Sequence, residues 1–147
     1  RLMVLGEGPE RRKLENLVQK LGIADKVSFP GFINNPFNYM KNSGLFVLSS
    51  AWEGLPNVLI EAMACGVPVV STNCASGPDE ILESGKYGEL VPVGNSDLLS
   101  QAIVKGVEKK NNIDYCLKLV QRSMDFSTNS IVTKYLETLT QKERGKY

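Results

Sequence analysis

Residues 45–71 read LFVLSSAWEGLPNVLIEAMACGVPVVS, a helical pattern set between two short apolar runs. The runs, Leu45–Leu48 and Val67–Ser71, are typical of buried strands. Pro56 predicts the start of the helix, because its missing N–H has no intrahelical partner at that position. Gly66 predicts the end of the helix. A strand, a helix and a strand in this order predict parallel pairing through a right-handed crossover.

The same alternation continues on both sides of this unit. Further strands are predicted at Leu2–Leu5, Val27–Phe29 and Gly88–Val91. Helices are predicted from Pro9 or Glu10 to Leu21 and at Phe37–Lys41, Ser96–Val107, Ile113–Arg122 and Ser127–Gln141. Strands that alternate with helices predict an α/β fold, an open, parallel, Rossmann-like sheet with helices on both faces. Residues 1–141 would form the domain, and the tail of residues 142–147 is expected to be disordered.

Composition excludes several classes of function. The chain has 147 residues, enough for one domain, and its 17 basic and 16 acidic residues give a net charge of +1, so no nucleic-acid-binding surface is expected. Histidine is absent, which excludes Ser-His-Asp and Cys-His catalysis and every His-containing zinc site. The three cysteines form no C-x-x-C pair and indicate a reduced, cytoplasmic compartment. Neither a metal nor a cofactor is predicted.

The loop that leaves the strand at Leu45–Leu48 is the predicted ligand site, since ligands of such sheets bind beyond the carboxyl ends of the strands. Glu53 lies in this loop, and Gly54 would let a ligand approach the backbone closely. The helix that begins at Pro56 directs free N–H groups and a partial positive charge to the same crevice, which suits a phosphate. Trp52 is expected to pack rather than to serve as a platform for a sugar.

Glu61 is the unusual residue of this helix, whose other side chains are mostly apolar. Its carboxylate must be exposed or paired, because burying it alone is costly. Asn57 and Glu61 are four residues apart and share a helix face. An ionised carboxylate readily accepts two hydrogen bonds, so the vicinal hydroxyls of a ribose would suit Glu61. A structural role for Glu61, as a cap or a bridge, is the alternative that the residues leave open.

The segment resembles the paired-glutamate motif of family-4 retaining glycosyltransferases of the GT-B fold. The motif is carried by Glu53 and Glu61 within the string SSAWEGLPNVLIEAMACGVPVV at residues 49–70. The neighbouring segments are also similar to this family in their order. They are the glycine turn Gly6–Pro9, the turn Val27–Phe32, the loop and helix start Ser76–Ile81, and Phe126–Ser127 before the last helix.

The resemblance implies a role for each matching position. Glu61 would bind the ribose hydroxyls, and Glu53 would contact the donor sugar and shape the reacting centre. The backbone at Gly54, Leu55 and Asn57 would approach the sugar and the diphosphate. Residues in the turns of the first third of the chain complete the implied site, with Phe32 and Ile33 beside the base and Gly6 in the glycine turn.

The resemblance also implies parts that this chain lacks. An upstream strand with its diphosphate-binding Arg and Lys, and the whole N-terminal acceptor-binding domain, are expected before Arg1. Arg11, Arg12 and Lys13 do not replace that pair, because they fall in the first turns of a helix and should be solvated. The chain alone is therefore expected to be inactive, and any association with the inner face of the membrane would run through the absent domain.

The implied function is transfer, with retention, of a hexose or N-acetylhexosamine from a nucleotide sugar. UDP is the expected nucleotide, and a polysaccharide or a lipid-linked molecule the expected acceptor. A nucleotide-sugar epimerase of the same fold is an alternative, although it would need acid/base groups that are not evident here. A non-catalytic α/β interaction module is another, although the strand ends carry Ser49–Ser50 and Ser71–Thr72 rather than a phosphate-accepting aspartate.

Overall fold

The computed structural model describes the backbone of residues 1–144 and the side chains of residues 1–140. The chain divides into two compact units, Arg1–Asn38 and the part from Tyr39 onward. In the first unit, β1 (Leu2–Leu5) and β2 (Val27–Gly31) form a parallel pair and are joined by helix α1 (Arg11–Lys20). Leu2 lies opposite Val27 and Leu5 opposite Gly31. Helix α2 (Phe37–Asn42) spans the boundary between the units.

The second unit contains a three-stranded parallel sheet in the order β3–β4–β5. Its strands are β3 (Phe46–Leu48), β4 (Val69–Thr72) and β5 (Glu89–Val91). Helices α3 (Asn57–Ala64) and α4 (Pro78–Leu82) connect them in turn. Helix α5 (Ser96–Glu108), a 3-10 turn (Lys109–Asn111), α6 (Ile113–Met124) and α7 (Thr128–Arg144) follow.

The central strand β4 is buried along its whole length, as expected for a strand covered on both faces. Val69 and Val70 point to opposite faces because side chains alternate along a strand. Val69 packs with a cluster from α3, α4 and α6, made by Leu59, Ala62, Met63, Ile81, Leu82 and Leu119. Val70 packs with Ala102 of α5 and with Val91. Helices therefore cover both faces of this sheet, which confirms the predicted α/β class.

Three details differ from the sequence-based expectations. The hydrogen-bonded strands form two sheets, of two and three strands, where a single open sheet was predicted. Pro56 caps α3 rather than opening it, and Asn57 is the first helical residue. Helix α7 continues to Arg144, so residues 142–144 are helical rather than part of a disordered tail. Residues 145–147 of that predicted tail lie outside the described residues.

Candidate functional site

The predicted ligand loop lies where β3 and β4 end. Because parallel strands present their carboxyl ends at one edge of a sheet, the loop after β3 (residues 49–56) meets the loop after β4 (residues 73–77). The Thr72 hydroxyl donates a hydrogen bond to the carbonyl oxygen of Ser50 at 2.5 Å. The Ser76 hydroxyl donates to the carbonyl oxygen of Glu53 at 2.7 Å. The loop that carries Glu53 is thus held at one point by the end of β4 and at a second point by the loop after β4.

Glu53 is half-buried, and its carboxylate is held by a residue of its own loop. The Ser50 hydroxyl donates a hydrogen bond to Oε1 of Glu53 at 2.6 Å. Within the described part of the chain, this is the one hydrogen bond that the Glu53 carboxylate makes. Its second oxygen can therefore accept a hydrogen bond from a ligand.

Two glycines shape this edge of the sheet for different reasons. A Cβ added at Gly77 would lie 2.2 Å from the carbonyl oxygen of Gly54, and the φ of Gly77 is +92°, so both contact and conformation require glycine there. A Cβ added at Gly54 would meet nothing within 4 Å. Packing therefore does not explain the glycine at position 54. A ligand can approach the Gly54 backbone closely from the solvent side.

Helix α3 presents its polar residues away from the core. Leu59, Ala62 and Met63 are buried, whereas Asn57 is exposed and Glu61 is half-buried. Asn57 and Glu61 share a face because they are one helical turn apart. No side chain of the described residues caps the start of α3. The N–H of Leu59 donates to the carbonyl oxygen of Pro56 at 2.9 Å, which leaves the N–H groups of Asn57 and Val58 to meet a negatively charged group.

Glu61 has no structural partner among the residues whose side chains are described. Within residues 1–140, its carboxylate makes neither a hydrogen bond nor an ion pair. Among the described residues, no side-chain polar atom is fully buried without a partner, so the Glu61 carboxylate keeps some contact with solvent. The alternative in which Glu61 acts as a cap or a bridge therefore finds no support, and its carboxylate is available to a ligand.

The other predicted residues lie in the first unit, in the turns that follow β1 and β2. Gly6 has a φ of +114°, and its N–H donates to the carbonyl oxygen of Gly31 at 2.8 Å. The two turns are therefore tied together at their bases. Phe32 is 77% exposed and Ile33 is half-buried, so both are accessible on the surface of this unit.

Arg11 differs from the solvated side chain that was predicted. Its guanidinium donates to the carbonyl oxygen of Phe29 at 2.6 Å and to Glu15 Oε1 at 2.9 Å, and it pairs with Glu7. These bonds fasten α1 and the glycine turn to β2. Arg12 is exposed, as expected. Sequence periodicity could not reveal the role of Arg11, because Phe29 lies 18 residues further along the chain.

Trp52 also departs from expectation, since it is 82% exposed instead of packed.

The structure brings Glu53, Gly54, Leu55, Asn57 and Glu61 together on one strand–loop–helix segment. Gly6, Phe32 and Ile33 belong to the other unit. The residues that sequence reasoning missed in the second unit are Ser50, Thr72, Ser76 and Gly77, which support the Glu53 loop.

Two of the surface cavities formed by the described residues bear on the location of the site. One, of about 230 Å³, is lined by the glycine turn and includes Gly6, Arg11 and Phe29. A larger cavity of about 350 Å³ is lined by Lys86, Tyr87, Tyr115, Lys118 and Gln121 and contains none of the predicted site residues. Its size does not make it the ligand site, because the strand ends and their loops lie elsewhere. Burial raises the pKa of Tyr115, which lines this cavity, to about 12.

The solved structures that this chain resembles are GT-B glycosyltransferases, which defines the chain as a GT-B glycosyltransferase domain. TarM of S. aureus, determined with UDP, alpha-GlcNAc-glycerol and Fondaparinux, is 26% identical with a TM-score of 0.82, over 92% of this chain and 28% of TarM. HepE of Anabaena in complex with UDP is 27% identical with a TM-score of 0.80, over 95% of this chain and 40% of HepE.

Residues 1–123 match the family described as "Glycosyl transferases group 1", and the chain belongs to that family. An uncharacterized glycosyltransferase of Methanocaldococcus jannaschii is 32% identical over 92% of this chain and 40% of its own length. A Campylobacter jejuni N-acetylgalactosaminyltransferase, named for a diphospho-undecaprenol-linked acceptor, is 39% identical over 70% of this chain and 28% of its own length.

Family membership favours a transferase over the epimerase and over the interaction module considered from the sequence. The chain spans well under half the length of these relatives. Among the described helices, none combines the length and the hydropathy that a membrane span requires.

Proposed function

We propose that this chain is the C-terminal, donor-binding domain of a family-4 retaining glycosyltransferase. It binds a UDP-hexose or a UDP-N-acetylhexosamine, and the complete enzyme transfers the sugar to a polysaccharide or a lipid-linked acceptor. TarM and HepE, both of which were crystallised with UDP, support UDP as the nucleotide. The diphospho-undecaprenol-linked acceptor in the name of the Campylobacter relative supports the class of acceptor.

The observation that carries this proposal is that Glu61 is half-buried while its carboxylate, which still reaches solvent, has no partner within the described residues. Its position contributes little to stability, because the carboxylate makes neither a hydrogen bond nor an ion pair there, and it leaves both oxygens available for hydrogen bonds. Two adjacent ribose hydroxyls would supply them, since each oxygen of an ionised carboxylate can accept one. Asn57, on the same helix face, lies one turn nearer the start of α3, where the phosphates would approach.

The backbone near the start of α3 suits the diphosphate and the sugar. The uncapped N–H groups of α3 and its partial positive charge favour a phosphate. The open backbone at Gly54 and Leu55 allows the sugar to come close. In the first unit, the exposed Phe32 and the half-buried Ile33 would flank the base, and Gly6 would contribute its turn.

Glu53 is proposed as the catalytic residue, next to the anomeric carbon of the donor. As the bond to UDP breaks, this carbon becomes oxocarbenium-like, and a nearby carboxylate stabilises the developing positive charge. The free oxygen of Glu53 could also accept a hydrogen bond from a hydroxyl of the sugar. The isolated chain would bind the donor without transferring the sugar, because the acceptor-binding domain belongs to the rest of the enzyme.

Donor binding is proposed to need no metal or cofactor, because the charge of the diphosphate can be met by helix N–H groups and by upstream basic residues. The enzyme would act in the cytoplasm, and any contact with the inner face of the membrane would involve its other domain.

Calorimetric titration of the 147-residue chain with UDP tests the proposal. We expect weak binding whose dissociation constant is the same in EDTA and in excess Mg²⁺. CMP, which differs in its base and has one phosphate fewer, serves as the control and should bind less tightly. Binding that occurs only with Mg²⁺ would contradict the metal-free proposal, and absence of UDP binding under both conditions would contradict the donor-site proposal.

A further inference from the structure

Glu53 is held at its backbone and at its carboxylate by two serines, neither of which is one of the paired glutamates. Its carbonyl oxygen accepts a hydrogen bond from the Ser76 hydroxyl at 2.7 Å, and its carboxylate Oε1 accepts one from the Ser50 hydroxyl at 2.6 Å. A side chain held only at its backbone could still rotate about its own bonds. The bond from Ser50 is the contact that selects one orientation of the carboxylate.

Ser50 is itself held by the buried core. The hydroxyl of Thr72, which is 4% exposed at the end of the central strand, donates to the carbonyl oxygen of Ser50 at 2.5 Å. Since β4 is packed on both faces, it provides a rigid reference for the loop. A chain of two hydrogen bonds therefore runs from β4 through the Ser50 backbone and hydroxyl to the Glu53 carboxylate.

The bond from Ser50 uses one carboxylate oxygen and leaves the other without a partner in the described chain. This division suits a group that has to present one oxygen to a substrate in a fixed direction. Small errors in the placement of a reacting or stabilising group reduce rates strongly, because the benefit of orientation is lost. Ser50 can therefore affect the reaction without touching the substrate.

We propose that Ser50 is a positioning residue, which transmits the rigidity of β4 to the Glu53 carboxylate and so sets the turnover of the enzyme. This inference rests on the proposed catalytic role of Glu53. Ser50→Ala removes only the hydroxyl, and it keeps the backbone carbonyl that Thr72 binds. The loop should therefore stay anchored while the carboxylate loses its orientation.

The experiment uses the full-length enzyme and measures the hydrolysis of UDP-glucose, UDP-galactose and their N-acetylated forms, in which water accepts the sugar and UDP is released. The variants are Ser50→Ala, Ser50→Thr, Glu53→Gln and the control Ser49→Ala, whose serine is exposed. We expect Ser50→Ala to lower kcat at least about tenfold, while the dissociation constant of UDP and the melting temperature stay unchanged. Ser50→Thr should retain most of the activity because it keeps the hydroxyl, and Ser49→Ala should behave as the wild type.

The outcomes separate the two proposals. If Glu53→Gln lowers kcat and Ser50→Ala does not, the positioning role of Ser50 is wrong and the role of Glu53 stands. If the loss of kcat in Ser50→Ala is accompanied by weaker UDP binding and a lower melting temperature, the serine supports the loop in general and the inference also fails. If Glu53→Gln retains near-normal kcat, the proposed role of Glu53 fails and the role of Ser50 fails with it.

Discussion

At the scale of single residues, polar side chains in the second unit fall into two groups. Thr72, Ser76 and Arg122 bond to main-chain carbonyls and hold the structure together. Glu61 makes no such bond within the described residues, and Glu53 uses one of its two carboxylate oxygens. The two glutamates of the second group have carboxylate oxygens that can still accept hydrogen bonds from a ligand. Two predictions concern them.

We expect Glu61→Ala to weaken UDP binding by about ten- to a hundredfold, because two hydrogen bonds to a charged group are lost. The free energy of unfolding should change little, because the carboxylate has no partner among the described side chains and alanine is the strongest helix former. Calorimetry with UDP and urea denaturation measure the two quantities. Glu108→Ala, at the exposed end of α5, is the matched control. Unchanged UDP affinity together with a marked loss of stability would make Glu61 a structural residue.

We expect Glu53→Gln in the full-length enzyme to lower turnover by about a hundredfold, corresponding to about 3 kcal/mol of transition-state stabilisation. Glutamine preserves size and can still accept the bond from Ser50, but it removes the negative charge. UDP affinity should stay close to that of the wild type, since the charge matters mainly as the glycosidic bond breaks. Steady-state kinetics and UDP titration on the same preparations provide the comparison. Near-normal turnover would limit Glu53 to positioning the sugar.

The two glutamates could be found from sequence because they lie eight residues apart in one strand–loop–helix segment. The residues that support the Glu53 loop could not be found from the sequence. Thr72 lies 22 residues from Ser50, and Ser76 lies 23 residues from Glu53, so no local pattern relates them. Trp52 was misjudged for a similar reason. Its exposure depends on which residues surround it in space, and an aromatic residue is more often buried than not.

At the scale of elements, the short helix α4 depends on α6. Arg122, whose side chain is 13% exposed, donates to the carbonyl oxygens of Ile81 at 3.0 Å and Glu80 at 2.7 Å. Its guanidinium also lies over the rings of Tyr87 and Phe126. A five-residue helix has little stability of its own, so these contacts hold it in place. Gly77, which contacts the Glu53 loop, directly precedes α4.

We expect Arg122→Met to lower the free energy of unfolding by about 2 to 3 kcal/mol, because it leaves two carbonyl groups without their charged donor. Arg122→Lys should recover part of the loss, since lysine keeps the charge but not the planar fork of donors. Urea denaturation measures both variants. Arg12→Met, at an exposed position of α1, should have little effect and serves as the control. Equal stabilities for Arg122→Met and Arg12→Met would show that α4 holds without this anchor.

Element order and type followed well from sequence, because helical and strand periodicities are local properties. The ends were less accurate. Pro56 was assigned to the helix because its missing N–H needs no partner at the first helical position, yet its ψ of 90° places it in the cap. Helix α7 passes the predicted end at Gln141 because no glycine or proline stops it before Arg144.

At the scale of the whole molecule, the division into two sheets was not foreseen. Alternating strands and helices predict parallel neighbours, but which strands share hydrogen bonds depends on contacts between distant parts of the chain. The family was predictable because its motifs are spread over much of the sequence, and residues 1–123 match it. The chain spans 40% of the length of its Methanocaldococcus relative.

The close approach of Gly77 to the carbonyl oxygen of Gly54 has a consequence for protein engineering. Suppose that the loop after β3 is replaced by the same loop of a relative that uses a different donor. The backbone of that loop is adapted to the loop after β4 in the relative, not to the one in this chain. If residues 49–57 alone were replaced, the new backbone would have to fit against Ser76 and Gly77 of the original chain. Successful chimeras should therefore exchange residues 49–57 and 73–78 as a pair, so that each graft brings its own complementary surface.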